Sequence, residues 1–285
     1  MASTFRELQK ALKKESDFSP SVKVALLGDT ATQFLATAIM GTAIERGFRI
    51  DLFEADYNQI ELQFMDTTSE LHKFGADFII IFQSTHKLLS KYNKLDNTEQ
   101  SRLADNRLDF IKTICSSVSA KLIYFNYPEI DDNVFGNYSN KIQSSFTYQI
   151  RKLNYELMNI SQTHSNFFVC DIAALQNKLG RDEMFHPSIY ISTDMVLSIN
   201  ALPYVAARAV DIIATVQGKF KKCLILDLDN TLWGGVIGDD GLEKIQLGHG
   251  LGIGKAFSEF QEWALKLKKR GIILAVCSKN NEQVA

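Results

Sequence analysis

The sequence predicts an α/β protein, with a parallel sheet covered by helices on both faces and then a second α/β unit. Three observations carry this expectation. Apolar runs of strand length alternate with helix-length segments from Val22 to Val216, the pattern of a sheet wound on both sides. Asp77–Phe82 reads DFIIIF, apolar at consecutive positions as a strand buried on both faces must be. After Gly218 and the basic stretch Lys219–Lys222, the run CLILD at Cys223–Asp227 starts the alternation afresh.

The elements follow in order. MASTFRELQKALKKE is an amphipathic lead helix with Phe5, Leu8 and Leu12 on one face, and Ser19-Pro20 breaks the chain. The first strand, Val22–Leu27, ends in Gly28-Asp29-Thr30, and a helix over Thr32–Arg46 closes at Gly47. Phe48–Phe53 is the second strand. One helix spans Glu61–Phe74 with Gly75 as its cap, and the third strand is Asp77–Phe82. Gln83–Asn97 reads as a polar connection, followed by a helix over Glu99–Ser119 and a fourth strand, Lys121–Phe125. A Pro128-containing loop, a helix over Tyr148–Thr163 and a fifth strand, Asn166–Cys170, come next. Met184–Pro187 is a loop, and a last helix over Thr193–Val216 turns Val196, Ile199, Val205, Val210 and Ile213 toward the sheet. Its end at Gly218 marks the domain boundary. The expected organisation is an N-terminal helix in 1–19, a first domain over 20–218 and a second over 219–285. In the second, a helix over Gly254–Arg270 joins the opening strand to another, Ile272–Cys277.

Composition narrows the function classes. The net charge is −2 and acidic and basic residues are interspersed, so nothing argues for nucleic acid or an anionic membrane as partner. No apolar run reaches membrane-spanning length, and the N-terminus lacks the apolar core of a signal peptide. Cys115, Cys170, Cys223 and Cys277 lie far apart with no metal-ligand spacing, and read as reduced, buried thiols of a cytoplasmic protein.

The chemistry concentrates after the second unit's first strand. Asp227 and Asp229 are two residues apart, so extended chain points both to one side, beyond the carboxyl end of the strand where open α/β sheets bind ligands. Thr231 and the Gly234-Gly235 bend complete a strand, DxDxT and Gly-bend order. A second strand ends at Cys277, and Ser278 and Lys279 open the turn after it.

The DxDxT pattern resembles motif I of the haloacid dehalogenase (HAD) superfamily, and the strand ending before Ser278 resembles its motif II. The resemblance implies that Asp227 is the nucleophile forming an aspartyl phosphate and Asp229 the general acid/base. It implies Mg2+ held by Asp227 and Asp229, and substrate contacts from Thr231 and Ser278. DLDNTLWGGVIGDDG, Leu247-Gly248 and VCSKNN at Val276–Asn281 are similar to the FkbH-like branch, subfamily IIIC. That branch implies a small flap over Trp233–Gly252, with Trp233, Gly234 and Gly235 shaping the substrate mouth. It further implies transfer of a glyceryl unit from 1,3-bisphosphoglycerate to an acyl carrier protein, as in polyketide biosynthesis. Under that resemblance Ser278 reads as a phosphate ligand or a turn residue, Lys279 equally as a phosphate contact or a solvated lysine, and Cys277 as an acyl-accepting thiol or, preferred, as a buried apolar strand residue. The third-motif lysine and further metal acids of the superfamily do not follow Ser278. The expectation is therefore a fragment of a longer protein, inactive by itself.

The first domain resembles an SGNH (GDSL-type) hydrolase, with Gly28-Asp29-Thr30 after its first strand and Glu183 three residues before His186. Thr30 stands where that family has Ser, and Glu183, or Asp182 at other spacing, where it has Asp. The stretch FQSTHKL after strand three lacks the family's Gly-x-Asn-Asp element. A degenerate hydrolase domain that binds a partner or substrate is the leading reading; a Thr30–His186 esterase or acyltransferase and a structural role are the others. His72, His86, His164 and His249 read as surface or loop residues without a constellation. Tyr124–Pro128 reads as a mouth or as a core-to-loop transition. For the whole chain, the competing readings are a plain HAD small-metabolite phosphatase and a non-catalytic binding module.

Overall fold

The computed structural model describes residues 3–13, 21–130 and 132–280; Ser19-Pro20 and Asn281 lie outside them. The chain divides into two compact units, Met1–Gln217 and Gly218–Ala285.

The first unit is built on five parallel strands: β1 (Val22–Gly28), β2 (Ile50–Glu54), β3 (Phe78–Phe82), β4 (Lys121–Phe125) and β5 (Phe167–Cys170), in the order β2-β1-β3-β4-β5. This is the doubly wound, flavodoxin-like order. Period-two alternation divides the strands between two cores. Val24, Leu26, Ile80 and Ile123 face the helices Gln33–Glu45 and Leu202–Val216. Ala25, Leu27, Ile79, Ile81 and Leu122 face the helices Leu103–Ser117 and Phe146–Thr163. The run FIIIF of β3 is buried along its whole length, because it lies inside the sheet with both faces covered.

The lead helix is Phe5–Leu12, started by a capping box between Thr4 and Glu7 that satisfies two orphan donors reciprocally. It packs Leu8 against Gly41, where an added Cβ would sit 2.7 Å from the Leu8 carbonyl oxygen.

Several expected elements differ. Gln83–Asn97 contains a helix, Thr85–Tyr92, because Ser84 caps it and Leu88 and Tyr92 bury one side. The single helix over Glu61–Phe74 is two, Ile60–Met65 and Glu70–Phe74. They are divided where the Asp66 carboxylate accepts from the Thr68 N–H and Ser69 caps the second. The last helix begins at Leu202, not Thr193. Before it, Asp194 takes a left-handed φ of 57° and Leu197 bridges to Phe185, which leaves Ile199 41% exposed rather than facing the sheet.

In the second unit, β6 (Cys223–Leu226) pairs in parallel with β7 (Ile273–Val276), and the helix Ile253–Lys269 connects them. Ile225, Ile273 and Val276 of this two-stranded sheet are exposed. Cys223 and Cys277 are exposed for the same reason, correcting the expectation that all four thiols are buried; Cys115 and Cys170 are buried.

Candidate active site

Pairing in the second unit sets Leu226 beside Val276, so the loops opening at Asp227 and Cys277 leave the sheet side by side. The bond from the Cys277 N–H to the Leu226 carbonyl, 2.9 Å, carries the pairing to the edge. Asp227 is exposed, and its Oδ1 accepts from the N–H of the next residue, Leu228, at 2.8 Å.

Asp229 is held far more firmly. Its Oδ1 accepts from the Trp233 indole N–H at 3.0 Å and from the Ile237 backbone N–H at 3.1 Å; its Oδ2 accepts from Asn280 Nδ2 at 2.9 Å. Desolvation pushes this carboxyl up, but the bonds from Ile237, Asn280 and Trp233 outweigh it and hold the pKa below the ordinary value. Hydrogen bonding to the charged form has that effect. The ionised carboxylate is thus the resting form.

The flap is shaped by the glycines. Gly235 has a φ of 98°, open to glycine with little strain, and donates to Asn230 Oδ1 at 3.0 Å. Gly234 exchanges backbone bonds with Gln246, and a Cβ there would lie 2.8 Å from the Phe257 ring. Trp233, expected at the substrate mouth, is bonded to Asp229, and Thr231 donates its N–H to the Leu228 carbonyl at 3.2 Å. Ser278 Oγ accepts from the Asn280 N–H at 3.2 Å, while Lys279 is exposed. Sequence reasoning missed Asn280, and also Gln261, whose amide donates to the Leu232 carbonyl at 2.7 Å.

The first unit does not assemble the expected hydrolase set. Thr30 is 2% exposed and its hydroxyl has no hydrogen-bond partner. His186 is exposed and its Nδ1 pairs with Ser188 Oγ at 2.8 Å, and Glu183 is exposed. No hydrogen bond joins any two of Thr30, Glu183 and His186 among the described residues. The physical reason is local: Asp29 turns inward to accept the Ser84 N–H at 2.9 Å, and Thr30 is drawn into the interior with it. Burial pushes the Asp29 carboxyl up to about 6, against the Ser84 bond and the charges of Lys91, Arg107 and Lys87. Above this edge, Tyr57, Lys87 and Asp194 bond to one another, with Lys87 2.8 Å from Asp194. Tyr124 and Tyr127 are wholly buried and share Gln83 as a partner, which makes them core, not mouth.

His86, expected to be isolated, is not. Its ring lies between Phe185 and Tyr190, with centroids 5.2 and 5.0 Å away.

Comparison with known proteins matches residues 23–214 to the FkbH N-terminal domain family. The solved N-terminal part of a Bacteroides fragilis protein, containing a phosphatase domain and complexed with Mg, is 60% identical. The match covers 99% of this chain and 75% of that one, with a TM-score of 0.95. A lipase/acylhydrolase from Enterococcus faecalis is similar over 68% of this chain and 96% of its own, at 15% identity and a TM-score of 0.48. No curated protein matches.

Proposed function

This chain belongs to the FkbH family, and from that premise we propose that its second unit carries the nucleophile end of a HAD-type phosphotransferase. The observation that carries the reading is the placement of Asp227 and Ser278 just past the carboxyl ends of two paired parallel strands, with Asp229 held by three N–H donors, one of them from Asn280 of the second loop. The 60% identical Bacteroides fragilis chain with its phosphatase domain supports it.

In this reading the Asp227 carboxylate attacks phosphorus. A bond forms from its oxygen to phosphorus as the bond to the leaving oxygen breaks, giving an aspartyl phosphate. Water then displaces Asp227, and ionised Asp229 takes its proton. The same carboxyl, once protonated, serves the leaving oxygen of the next turnover. Ser278 and Thr231 hold phosphoryl oxygens, and Lys279 adds charge from the rim.

Among the described residues no three acidic, His or Cys side chains cluster as a metal cage. The oxygen donors at the end of β6 are the Asp227 carboxylate and the Asp229 backbone carbonyl. That hard-oxygen set fits Mg2+, which commonly takes one or two carboxylates and completes its shell with waters and substrate phosphates. When bound, the ion neutralises the charge between carboxylate and phosphoryl group.

The finer proposal is a phosphorylated three-carbon acyl donor, 1,3-bisphosphoglycerate. A thiolate attacks its C1 acyl carbon and expels the phosphate there, Asp227 takes the C3 phosphate through the aspartyl phosphate, and the glyceryl unit remains as a thioester on an acyl carrier protein. The exposed Cys277 thiol beside Ser278 supports a transient thioester on the way. The first unit, with the Thr30 hydroxyl unpartnered among the described residues and His186 bonded to Ser188 instead, then serves as a binding module rather than a hydrolase. The test incubates the full-length protein with that donor, Mg2+ and carrier protein, and reads phosphate release together with the intact mass of the carrier. A glyceryl adduct that disappears in Asp227→Asn is expected. Phosphate release without an adduct leaves a plain phosphatase, and release of the C3 phosphate that survives Asp227→Asn removes the assignment altogether.

A further inference from the structure

We propose that one face of the helix Ile253–Lys269 is the seat of the flap Trp233–Gly252, and that Gln261 on that face is a positioning residue for Asp229. This rests on the phosphotransferase reading above, in which Asp229 moves the proton. Gly254, Phe257, Ser258 and Gln261 are spaced i, i+3, i+4 and i+7, so they share one side of the helix.

Each of the four touches the flap or the residue just before it. Gly254 lets the Leu247 backbone come close: an added Cβ would sit 3.1 Å from the Leu247 nitrogen and 3.2 Å from its carbonyl carbon. The Phe257 ring fills the space that a side chain at Gly234 would need. Ser258 is buried; its Oγ accepts from the Gly248 N–H at 3.0 Å and donates to the Gly254 carbonyl of its own helix at 3.2 Å. Gln261 donates to the Leu232 carbonyl at 2.7 Å, the shortest of these bonds.

That carbonyl belongs to the peptide group joining Leu232 to Trp233, and a peptide group is planar. The Leu232 N–H is bonded to the Leu228 carbonyl at 2.8 Å, so the bond from Gln261 fixes the peptide on the other side of the same residue. Trp233 leaves that peptide in a set direction, and its indole N–H reaches Asp229 Oδ1. Ile237, also in the flap, donates to the same oxygen. Two of the three N–H donors that hold Asp229 are therefore carried by the flap, and the flap rests on the helix. Without the Gln261 amide, water satisfies the Leu232 carbonyl from any direction, and the peptide before Trp233 is free to turn.

Trp233 and Trp263 are the only tryptophans in the 285 residues, and Trp263 is exposed. A Trp263→Phe background therefore leaves one indole N–H to follow by hydrogen exchange in NMR spectra. Gln261→Met keeps the length of the side chain and removes its donor. In that background it should speed exchange of the Trp233 indole N–H about fivefold, the worth of one ordinary hydrogen bond, with the melting temperature unchanged. In the full-length protein it should lower kcat for phosphate release about fivefold and leave KM within about twofold, because Asp229 acts in the transition state. Gln261→Glu, which sets an oxygen against the Leu232 carbonyl, should do at least as much, and it decides alone if Gln261→Met does not fold. Unchanged indole exchange, or faster exchange with kcat unchanged, overturns the proposal. A wild-type protein that releases no phosphate strikes the phosphotransferase reading itself, and the positioning role with it, whereas a failure confined to the Gln261 variants strikes this proposal alone.

Discussion

Two acidic residues in similar-looking turns have opposite environments. Asp229 sits partly exposed among three N–H donors that favour its charge, whereas Asp29 is buried with one backbone donor and its charge is disfavoured. For Asp229, Asn280 is the donor that comes from the other strand's loop. In the full-length protein, Asn280→Ala should lower kcat for phosphate release about tenfold, the size of one hydrogen bond to a charged group, with a smaller change in KM. An unchanged kcat would mean that Trp233 and Ile237 position Asp229 without it. For Asp29 the folded pKa, about 6, lies above the ordinary 3.8. The folded state therefore binds the extra proton between those values, so this group's contribution is fullest below about pH 4, falls as pH rises to about 6 and is level above. Asp29→Asn keeps an oxygen to accept the Ser84 N–H and removes the charge. It should raise stability near neutral pH by up to about 3 kcal/mol, two pKa units' worth, and leave it unchanged near pH 4. Urea melts of both proteins at the two pH values measure the difference, and equal shifts at both would rule out the charge as the cause.

At the scale of elements, the strands were legible because each is a short apolar run between polar breaks, and β4 coincides with its expected bounds, Lys121–Phe125. The helix Thr85–Tyr92 was hidden because its lysines and serine mask a one-sided pattern; Leu88 and Tyr92, one turn apart, bury its face. The places of Asp227 and Ser278 just past strand ends were legible from the apolar runs before them, and their roles from the family resemblance. The bond from Asn280 to Asp229 depends on how a turn folds back, and the meeting of His86 with Phe185 and Tyr190 joins distant segments with no shared period. Neither leaves a local mark in the sequence. The packing of the lead helix is of the same kind, because Gly41 shows its role only where Leu8 crosses it. Gly41→Ala would set a methyl 2.7 Å from the Leu8 carbonyl oxygen and 2.8 Å from its Cβ. Because backbone must shift, a loss of about 1–3 kcal/mol is expected, with earlier proteolysis of the segment before Val22. Wild-type stability in this variant would show that the helix docks loosely.

At the scale of the whole molecule, the two units differ in what each can bury for itself. Met1–Gln217 has a five-stranded sheet with a core on each face, enough for a domain to fold independently. Gly218–Ala285 has two described strands, with Ile225, Ile273 and Val276 exposed, and two-stranded sheets are marginal in water. A chain ending at Gln217 should therefore unfold in one cooperative transition, within about 3 °C of the first unit's transition in the longer chain. That is the shift about 1 kcal/mol makes in a domain of this size. Residues 218–285 expressed alone should give no cooperative melt. Calorimetry of the three chains checks both halves of the prediction. A first unit that aggregates or melts far lower would show that it draws stability from residues beyond Gln217. The binding-module role argued for that unit would then have to be tested in the longer chain alone.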